Sequence, residues 1–182
     1  MAYYHCSPRA GLTVLEPRKP ECFEKTRGVY MTTSLPMALM YGVRNFEYSY
    51  GYTRDGQIYY EEYFPDALRY LYRGKSASLY LCAPGSVRAT KIPNEVVADA
   101  RVTVIGETAI PDVYEALLEQ EKTGALVIRR YDGLSDEMRE WIRKTEADII
   151  REKGLLRADG PMAQYFRCHY PESWALAEEK DK

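Results

Sequence analysis

The first hundred residues contain short runs of apolar and aromatic residues that are typical of β-strands. Residues 2–5 and 29–32 are two such runs, and turn formers or polar residues follow each of them. Short runs rich in β-branched and aromatic residues favour strands, so we predict one strand in each. Further strand candidates are 78–82, 96–97 and 102–105. The first two-thirds of the chain is therefore predicted to be rich in strands.

Residues 46–63 carry the clearest alternation in the chain. Aromatic residues at 46, 48, 50 and 52 are separated by polar or small residues, and a second tyrosine-rich run follows Asp55-Gly56. Asp-Gly between two alternating runs favours a two-residue hairpin of a primed turn type. The predicted register pairs Tyr52 with Tyr59, and Tyr48 with Tyr63. One face of this hairpin is then expected to be a ladder of tyrosines.

Helical spacing of apolar residues predicts several helices. Ser34 is a good N-cap residue, Pro36 suits a first helical turn, and the apolar residues that follow recur through Tyr41. Shorter helices are predicted near 65–71, 111–121 and 161–178. The longest predicted helix spans 135–153 and begins after Ser135. We expect Trp141 and Ile142 on this helix to be buried.

The order of these elements predicts an α+β protein. Strands dominate residues 1–110, and helices alone are predicted over 111–182. We therefore expect a strand-rich core with an all-helical C-terminal lobe packed on it, together forming one domain. A chain of 182 residues is long enough to bury such a core without disulfide bonds.

Composition excludes several classes of protein. The formal net charge is -2, so no basic excess indicates nucleic-acid binding through bulk electrostatics. The longest uncharged run lies between Arg27 and Arg44 and is interrupted by Pro36, so no membrane span is predicted. The cysteines are Cys6, Cys22, Cys82 and Cys168, and the histidines are His5 and His169. None of the cysteines has the spacing of a metal or redox motif, so we predict a reduced, cytoplasmic protein without a metal site.

Three short motifs stand at the ends or beginnings of predicted strands. They are His5-Cys6-Ser7, Gly28-Val29-Tyr30 and Asn94-Glu95 with Asp99. In this order they resemble the catalytic domain of the ADP-ribosyltransferase superfamily, in its diphtheria-toxin and poly(ADP-ribose) polymerase branch. The resemblance covers roughly residues 2–105. It implies a split, mostly antiparallel sheet and NAD as a substrate. The glycine spacing of a Rossmann NAD site is absent from the sequence.

The resemblance also implies a role for individual residues. His5 corresponds to the family histidine that holds the ribose of the adenosine half, and Ser7 matches the serine of the same motif. Tyr30 corresponds to the tyrosine that stacks on nicotinamide. Tyr41, eleven residues later, corresponds to the tyrosine on the other side of the ring. Glu95 corresponds to the catalytic glutamate that binds the 2′-hydroxyl of the nicotinamide ribose.

The sequence departs from the family at two positions. Cys6 stands where the family has a glycine whose backbone contacts the nicotinamide amide. Ala38 stands where the polymerases have a serine that hydrogen-bonds the same amide. Both departures weaken nicotinamide recognition, and they bear on activity more than on fold.

We therefore predict an enzyme that uses NAD, either transferring ADP-ribose to an unidentified protein or nucleic-acid acceptor or hydrolysing NAD. Cleavage of the nicotinamide–ribose bond builds an oxocarbenium-like charge, which a fixed carboxylate stabilises. One alternative is a non-catalytic module that keeps the fold and binds a nucleotide or protein. Another is a related RNA 2′-phosphotransferase, which needs extra basic residues at the phosphate. Taken singly, His5, Tyr30 and Glu95 also fit ordinary structural roles.

Overall fold

A computed structural model describes residues 1–19 and 26–179. Cys22 lies outside the described residues. The fold is mixed α+β, with a large antiparallel sheet. The strands are β1 (Tyr3–Ser7), β2 (Val14–Leu15), β3 (Val29–Thr32), β4 (Tyr50–Tyr52), β5 (Ile58–Glu61), β6 (Ala77–Ala83), β7 (Arg88–Ala89), β8 (Glu95–Ala98), β9 (Val102–Ile110) and β10 (Val127–Arg129). The helices are α1 (Leu35–Tyr41), α2 (Ala67–Tyr72), α3 (Val113–Lys122), α4 (Asp136–Glu152), α5 (Pro161–His169) and α6 (Pro171–Glu179).

The chain divides into two compact units. The first comprises residues 1–48, 52–58 and 68–127. Its seven-stranded sheet has the order β2-β9-β6-β1-β3-β8-β7. Buried residues of its strands form a hydrophobic cluster: Leu15, Val29, Met31, Tyr80, Cys82, Ala98 and Val102. The predicted strands all form, and β9 runs five residues beyond its predicted end at residue 105.

Helix α1 begins as the sequence predicts. The Ser34 hydroxyl accepts a hydrogen bond from the backbone N–H of Met37, and Pro36 lies in the first turn. Met37, Leu39 and Met40 are each about 1% exposed. This helix is therefore anchored by its cap and by nearly complete burial of its apolar side chains.

The hairpin forms, but its turn and register differ from the prediction. The Thr53 N–H donates to the Gln57 carbonyl, and the Gly56 N–H donates to the Thr53 carbonyl. The loop therefore has three residues, and Gly56, at φ 86°, takes the left-handed position that such loops require. The Glu61 N–H donates to the Ser49 carbonyl in the same register. This one-residue shift places Tyr59 opposite Gly51, so the predicted Tyr52–Tyr59 and Tyr48–Tyr63 pairs are wrong.

The second unit comprises residues 49–51, 59–67 and 128–182. It contains α4, α5, α6 and most residues of a three-stranded sheet with the order β10-β5-β4. The prediction that 111–182 is all helical is wrong, because β10 lies within it. The backbone N–H of Glu62 donates to the Arg129 carbonyl, so this short apolar segment finds its hydrogen-bond partners in a strand pair. Residues 111–127, which include α3, belong to the first unit.

Helix α4 confirms the helix predicted over 135–153. Of the two residues predicted to be buried, Ile142 is buried and Trp141 is not. Ser135 caps it by accepting a hydrogen bond from the Met138 N–H. Ile142 is 3% exposed, whereas Trp141 is 48% exposed. Adjacent helical positions point about 100° apart, so both residues cannot face the buried stripe. The Trp141 ring instead contacts the Tyr63 ring edge-on, with centroids 6.0 Å apart.

The predicted helix 161–178 forms as two helices, α5 and α6, that meet at Tyr170 and Pro171. Pro171 lacks the N–H that would continue the helical ladder of α5, so the chain restarts there. Among the described residues, no helix combines the length and apolar character that crossing a membrane requires.

Candidate functional site

The candidate site lies in the first unit, where β1 runs beside β3. Tyr4 pairs with Thr32 between these strands, and Thr32 in turn pairs with Glu95 on β8. This register brings the three sequence motifs to neighbouring strands. A cavity of about 250 Å³ lies here, which we call the Glu95 cavity. It is lined by Tyr4, His5, Cys6, Tyr30, Met31, Thr32, Met37, Ala38, Tyr41 and Glu95.

His5 lines this cavity, although the alternation of side chains along β1 assigns it to the opposite face of the sheet. The pairs through Thr32 place Tyr30 and Glu95 on the face of Tyr4, and adjacent strand residues point to opposite faces. His5 follows Tyr4, so regular alternation places it on the face of its partner Tyr80. Its ring nevertheless meets the backbone of β3, because its Nδ1 atom lies 3.0 Å from the Tyr30 carbonyl oxygen.

That contact defines the chemistry of His5. A carbonyl oxygen only accepts hydrogen bonds, so Nδ1 carries the proton, and Nε2 is the acceptor nitrogen of the neutral ring. Burial lowers the pKa of His5 below its ordinary value of 6.5, outweighing the hydrogen bond to Tyr30, and the positive charge of Arg18 lowers it further. His5 is therefore a neutral hydrogen-bond acceptor at physiological pH.

Glu95 is a buried carboxylate, only 5% exposed. Its Oε1 atom accepts a hydrogen bond from the Thr90 hydroxyl at 2.9 Å. The preceding residue, Asn94, has φ 63°, which is the left-handed region that side chains other than glycine enter at a cost. Backbone strain of this kind clusters at functional sites.

The two predicted ring-binding tyrosines line the same cavity from different elements. Tyr30 is on β3, and its hydroxyl donates to the Thr26 carbonyl at 2.8 Å, which fixes its ring. Tyr41 is the last residue of α1, and its ring centroid lies 5.0 Å from that of Tyr48. Two aromatic rings held in this way can bind a planar ligand between or beside them.

The two departures from the family motif have different consequences. A Cβ atom built on Gly42 would lie 2.5 Å from the Cys6 sulfur, so the Cys6 side chain occupies space that glycine leaves open at the end of α1. Burial raises the pKa of the Cys6 thiol to about 11, so it is not a nucleophile near neutral pH. Ala38 lines the Glu95 cavity with a methyl group and offers no hydrogen bond there.

A second cavity of about 570 Å³ adjoins the first, and we call it the arginine cavity. Both cavities are lined by His5, Cys6, Tyr30 and Tyr41. Ser7, the remaining predicted site residue, lines only the arginine cavity. Its lining includes three arginines, Arg9, Arg18 and Arg44, and one acidic residue, Glu16, so the formal charges of its lining residues sum to +2.

Sequence reasoning missed this group of arginines and one further residue. Arg9, Arg18 and Arg44 are separated by nine and twenty-six residues, and no motif joins them. Tyr52 was assigned to the hairpin ladder, but its hydroxyl donates to the Pro93 carbonyl at 2.7 Å, beside Glu95. Only the folded chain brings these residues to the site. In the part of the chain that the structure describes, no group of three or more histidine, cysteine or acidic residues could hold a metal ion.

Comparisons with protein-family models, with curated proteins and with solved structures find no match to this chain.

Proposed function

We propose that this protein binds NAD and cleaves its nicotinamide–ribose bond, passing ADP-ribose to an unidentified acceptor or to water. The observation that carries the proposal is that His5, Tyr30 and Tyr41 line two adjoining cavities. One of these cavities contains a buried carboxylate, and the other is lined by three arginines. A dinucleotide has the same division, with an uncharged ring at one end and a pyrophosphate in the middle.

The Glu95 cavity suits the nicotinamide riboside end. Its lining is mostly aromatic and aliphatic, which favours a planar ring, and Tyr30 and Tyr41 supply the aromatic surfaces. The carboxylate of Glu95 would lie beside the ribose. As the bond to nicotinamide breaks, positive charge develops on that ribose, and a fixed carboxylate stabilises it.

His5 would bind a ribose hydroxyl. Its Nδ1–H is taken by the Tyr30 carbonyl, so its Nε2 can only accept, and a hydroxyl is a suitable donor. The hydrogen bond to Tyr30 also fixes the plane of the ring. Holding the ribose of the adenosine half in this way contributes to catalysis by positioning the dinucleotide, so that its nicotinamide ribose lies beside Glu95.

The arginine cavity suits the pyrophosphate. Two net positive charges at Arg9, Arg18, Arg44 and Glu16 match the two negative charges of the linkage. The pairing of β1 with β3 and of β3 with β8 brings the three motifs to neighbouring strands, which supports our assignment of an ADP-ribosyltransferase-like core.

One observation favours a second candidate, a non-catalytic nucleotide-binding module. Ala38 removes the hydroxyl that the resemblance requires for holding the nicotinamide amide. A module of this kind would bind NAD, ADP-ribose and ADP with similar affinity, because the arginine cavity contacts the part that they share.

The test compares Glu95→Gln with the wild type. The amide keeps the shape of the side chain but carries no charge, so turnover should fall about a hundredfold or more while NAD affinity is retained. Calorimetry with NAD measures binding, and chromatography of released nicotinamide measures turnover. Glu152→Gln, an exposed residue at the end of α4, is the matched control and should behave as the wild type.

Three outcomes separate the candidates. Nicotinamide release that Glu95→Gln abolishes supports the enzyme. Binding of NAD without release by the wild type supports the non-catalytic module. A wild-type protein that neither binds NAD nor releases nicotinamide contradicts both.

A further inference from the structure

We propose that Tyr52 is a positioning residue for Glu95. It holds the turn that delivers the carboxylate to the cavity, although it lies 43 residues earlier in the chain. The catalytic consequence rests on the function proposed above, whereas the structural part can be tested without any ligand.

The turn in question comprises residues 90–94 and joins β7 to β8. The Thr90 N–H donates to the Glu95 carbonyl at 3.2 Å, and the Glu95 N–H donates to the Ile92 carbonyl at 3.1 Å. The hydroxyl of Thr90 donates to the Glu95 carboxylate. The position of the carboxylate is therefore tied to the conformation of the turn.

The turn contains a residue in the left-handed backbone region, which costs free energy for any side chain other than glycine. Asn94 has φ 63°, and asparagine is among the side chains that tolerate this region best. From outside the turn, the Thr33 N–H donates to the Asn94 carbonyl at 2.9 Å. Strain of this kind persists only where surrounding contacts hold it.

Tyr52 also holds the turn from outside. Its hydroxyl donates to the Pro93 carbonyl at 2.7 Å and lies 3.5 Å from the Met37 sulfur, on the helix that lines the Glu95 cavity. Burial raises the pKa of Tyr52 above its ordinary value of 10.0, outweighing a hydrogen bond from the Asn94 side chain, and the charge of Glu95 raises it further. The hydroxyl is therefore a permanent donor at physiological pH, and it lies within electrostatic reach of the carboxylate.

Loss of this one hydrogen bond should loosen the turn without unfolding the protein. Pro93 offers no N–H, so its carbonyl is the group by which the backbone can be held at that position. Without the Tyr52 hydroxyl, the turn opens more often, and Glu95 spends less time in the cavity. The effect should fall on turnover more than on affinity, since Glu95 acts on charge that develops in the transition state.

The experiment compares Tyr52→Phe with Tyr70→Phe and the wild type. The first variant keeps the ring and removes the hydroxyl. Tyr70 is 56% exposed on α2 and lines neither cavity. Amide hydrogen exchange by NMR reports the turn directly through the N–H groups of Thr90 and Glu95. We expect both to exchange about tenfold faster in Tyr52→Phe, in a protein that still unfolds cooperatively. We also expect turnover to fall about tenfold at unchanged NAD affinity.

Unchanged exchange at Thr90 and Glu95 in Tyr52→Phe would overturn the proposal, whatever the NAD measurements give. If the wild type is active, faster exchange in Tyr52→Phe without a change in its turnover would also overturn the proposal. The turn would then not position a catalytic carboxylate. If the wild type has no activity towards NAD, the proposed function fails. Faster exchange in Tyr52→Phe would still support the structural part of the proposal, which is that Tyr52 holds the turn before Glu95.

Discussion

The Nδ1 atom of His5 and the carbonyl oxygen of Tyr30 lie 3.0 Å apart, so a side chain of β1 is bonded to the backbone of β3 at the candidate site. This contact fixes both the tautomer and the orientation of the ring. It also means that protonation of Nε2 changes the ring from an acceptor into a donor at that nitrogen.

The first prediction concerns pH. The pKa of His5 is lowered in the folded protein, so the neutral ring is favoured, and the stability it contributes is present above pH 6.5 and lost as pH falls through the folded pKa. NAD affinity should follow the same direction, remaining constant above pH 6.5 and falling below it. Calorimetry between about pH 8 and about pH 5 measures this, and a His5→Asn variant should bind more weakly with a flatter pH profile. Affinity that rises on acidification would contradict the assigned role of Nε2.

The second prediction concerns the arginine cavity. Arg18→Gln and Arg44→Gln should each weaken binding of ADP-ribose by up to about fivefold, because both arginines are exposed and screened by solvent. Binding of free nicotinamide should not change. Arg101→Gln is a suitable control, since Arg101 is exposed and lies outside the cavity. Equal losses for ADP-ribose and nicotinamide would show that the variants disturb the fold and not a phosphate site.

The third prediction concerns Ala38. Ala38→Ser restores a hydroxyl to the Glu95 cavity, where it can bond the nicotinamide amide. One new hydrogen bond should strengthen nicotinamide binding by about threefold to tenfold. Ala163→Ser provides the control, because Ala163 is also buried but lies on α5 in the second unit. Its serine should cost stability without altering nicotinamide affinity. Weaker nicotinamide binding in Ala38→Ser would place the amide elsewhere.

The fourth prediction concerns Gly42 and Cys6. A Cβ atom at position 42 would lie 2.5 Å from the Cys6 sulfur, so Gly42→Ala should destabilise the protein by about 1–3 kcal/mol. Cys6→Ala removes the sulfur, and the double variant should recover part of that loss. Urea denaturation measures all three. Gly85→Ala is the control, since a Cβ there meets no atom within 4 Å. Additive losses in the double variant would show that the two positions do not contact each other.

Local sequence signals were sufficient to predict features that depend on a single residue type, such as helix caps. Ser34 and Ser135 cap their helices as predicted, because capping requires only a side-chain oxygen and a nearby N–H. The hairpin was predicted correctly, but its predicted register is wrong by one residue. Asp55-Gly56 suits both two-residue and three-residue loops, and the choice depends on cross-strand packing that no local pattern encodes.

The candidate site was accessible from sequence only through its motifs. His5, Tyr30 and Glu95 could be proposed because each stands in a motif at the end or beginning of a strand. Tyr52 could not be proposed from the sequence, because its partner Pro93 is forty-one residues away. The alternating pattern around Tyr52 indicates only a strand. The arginines were missed for the same reason, because a cavity gathers them from separate segments.

The position of β1 has a consequence for how the protein folds. This strand carries His5, Cys6 and Ser7, and it lies at the centre of the seven-stranded sheet. Its hydrogen-bonded neighbours are β3 and β6, and β6 begins only at Ala77. The site therefore cannot assemble from local structure, and its formation waits for a pairing between segments some seventy residues apart. Such non-local closure slows folding, so β1 is expected to be the last part of the site to gain protection when refolding is followed by pulsed hydrogen exchange.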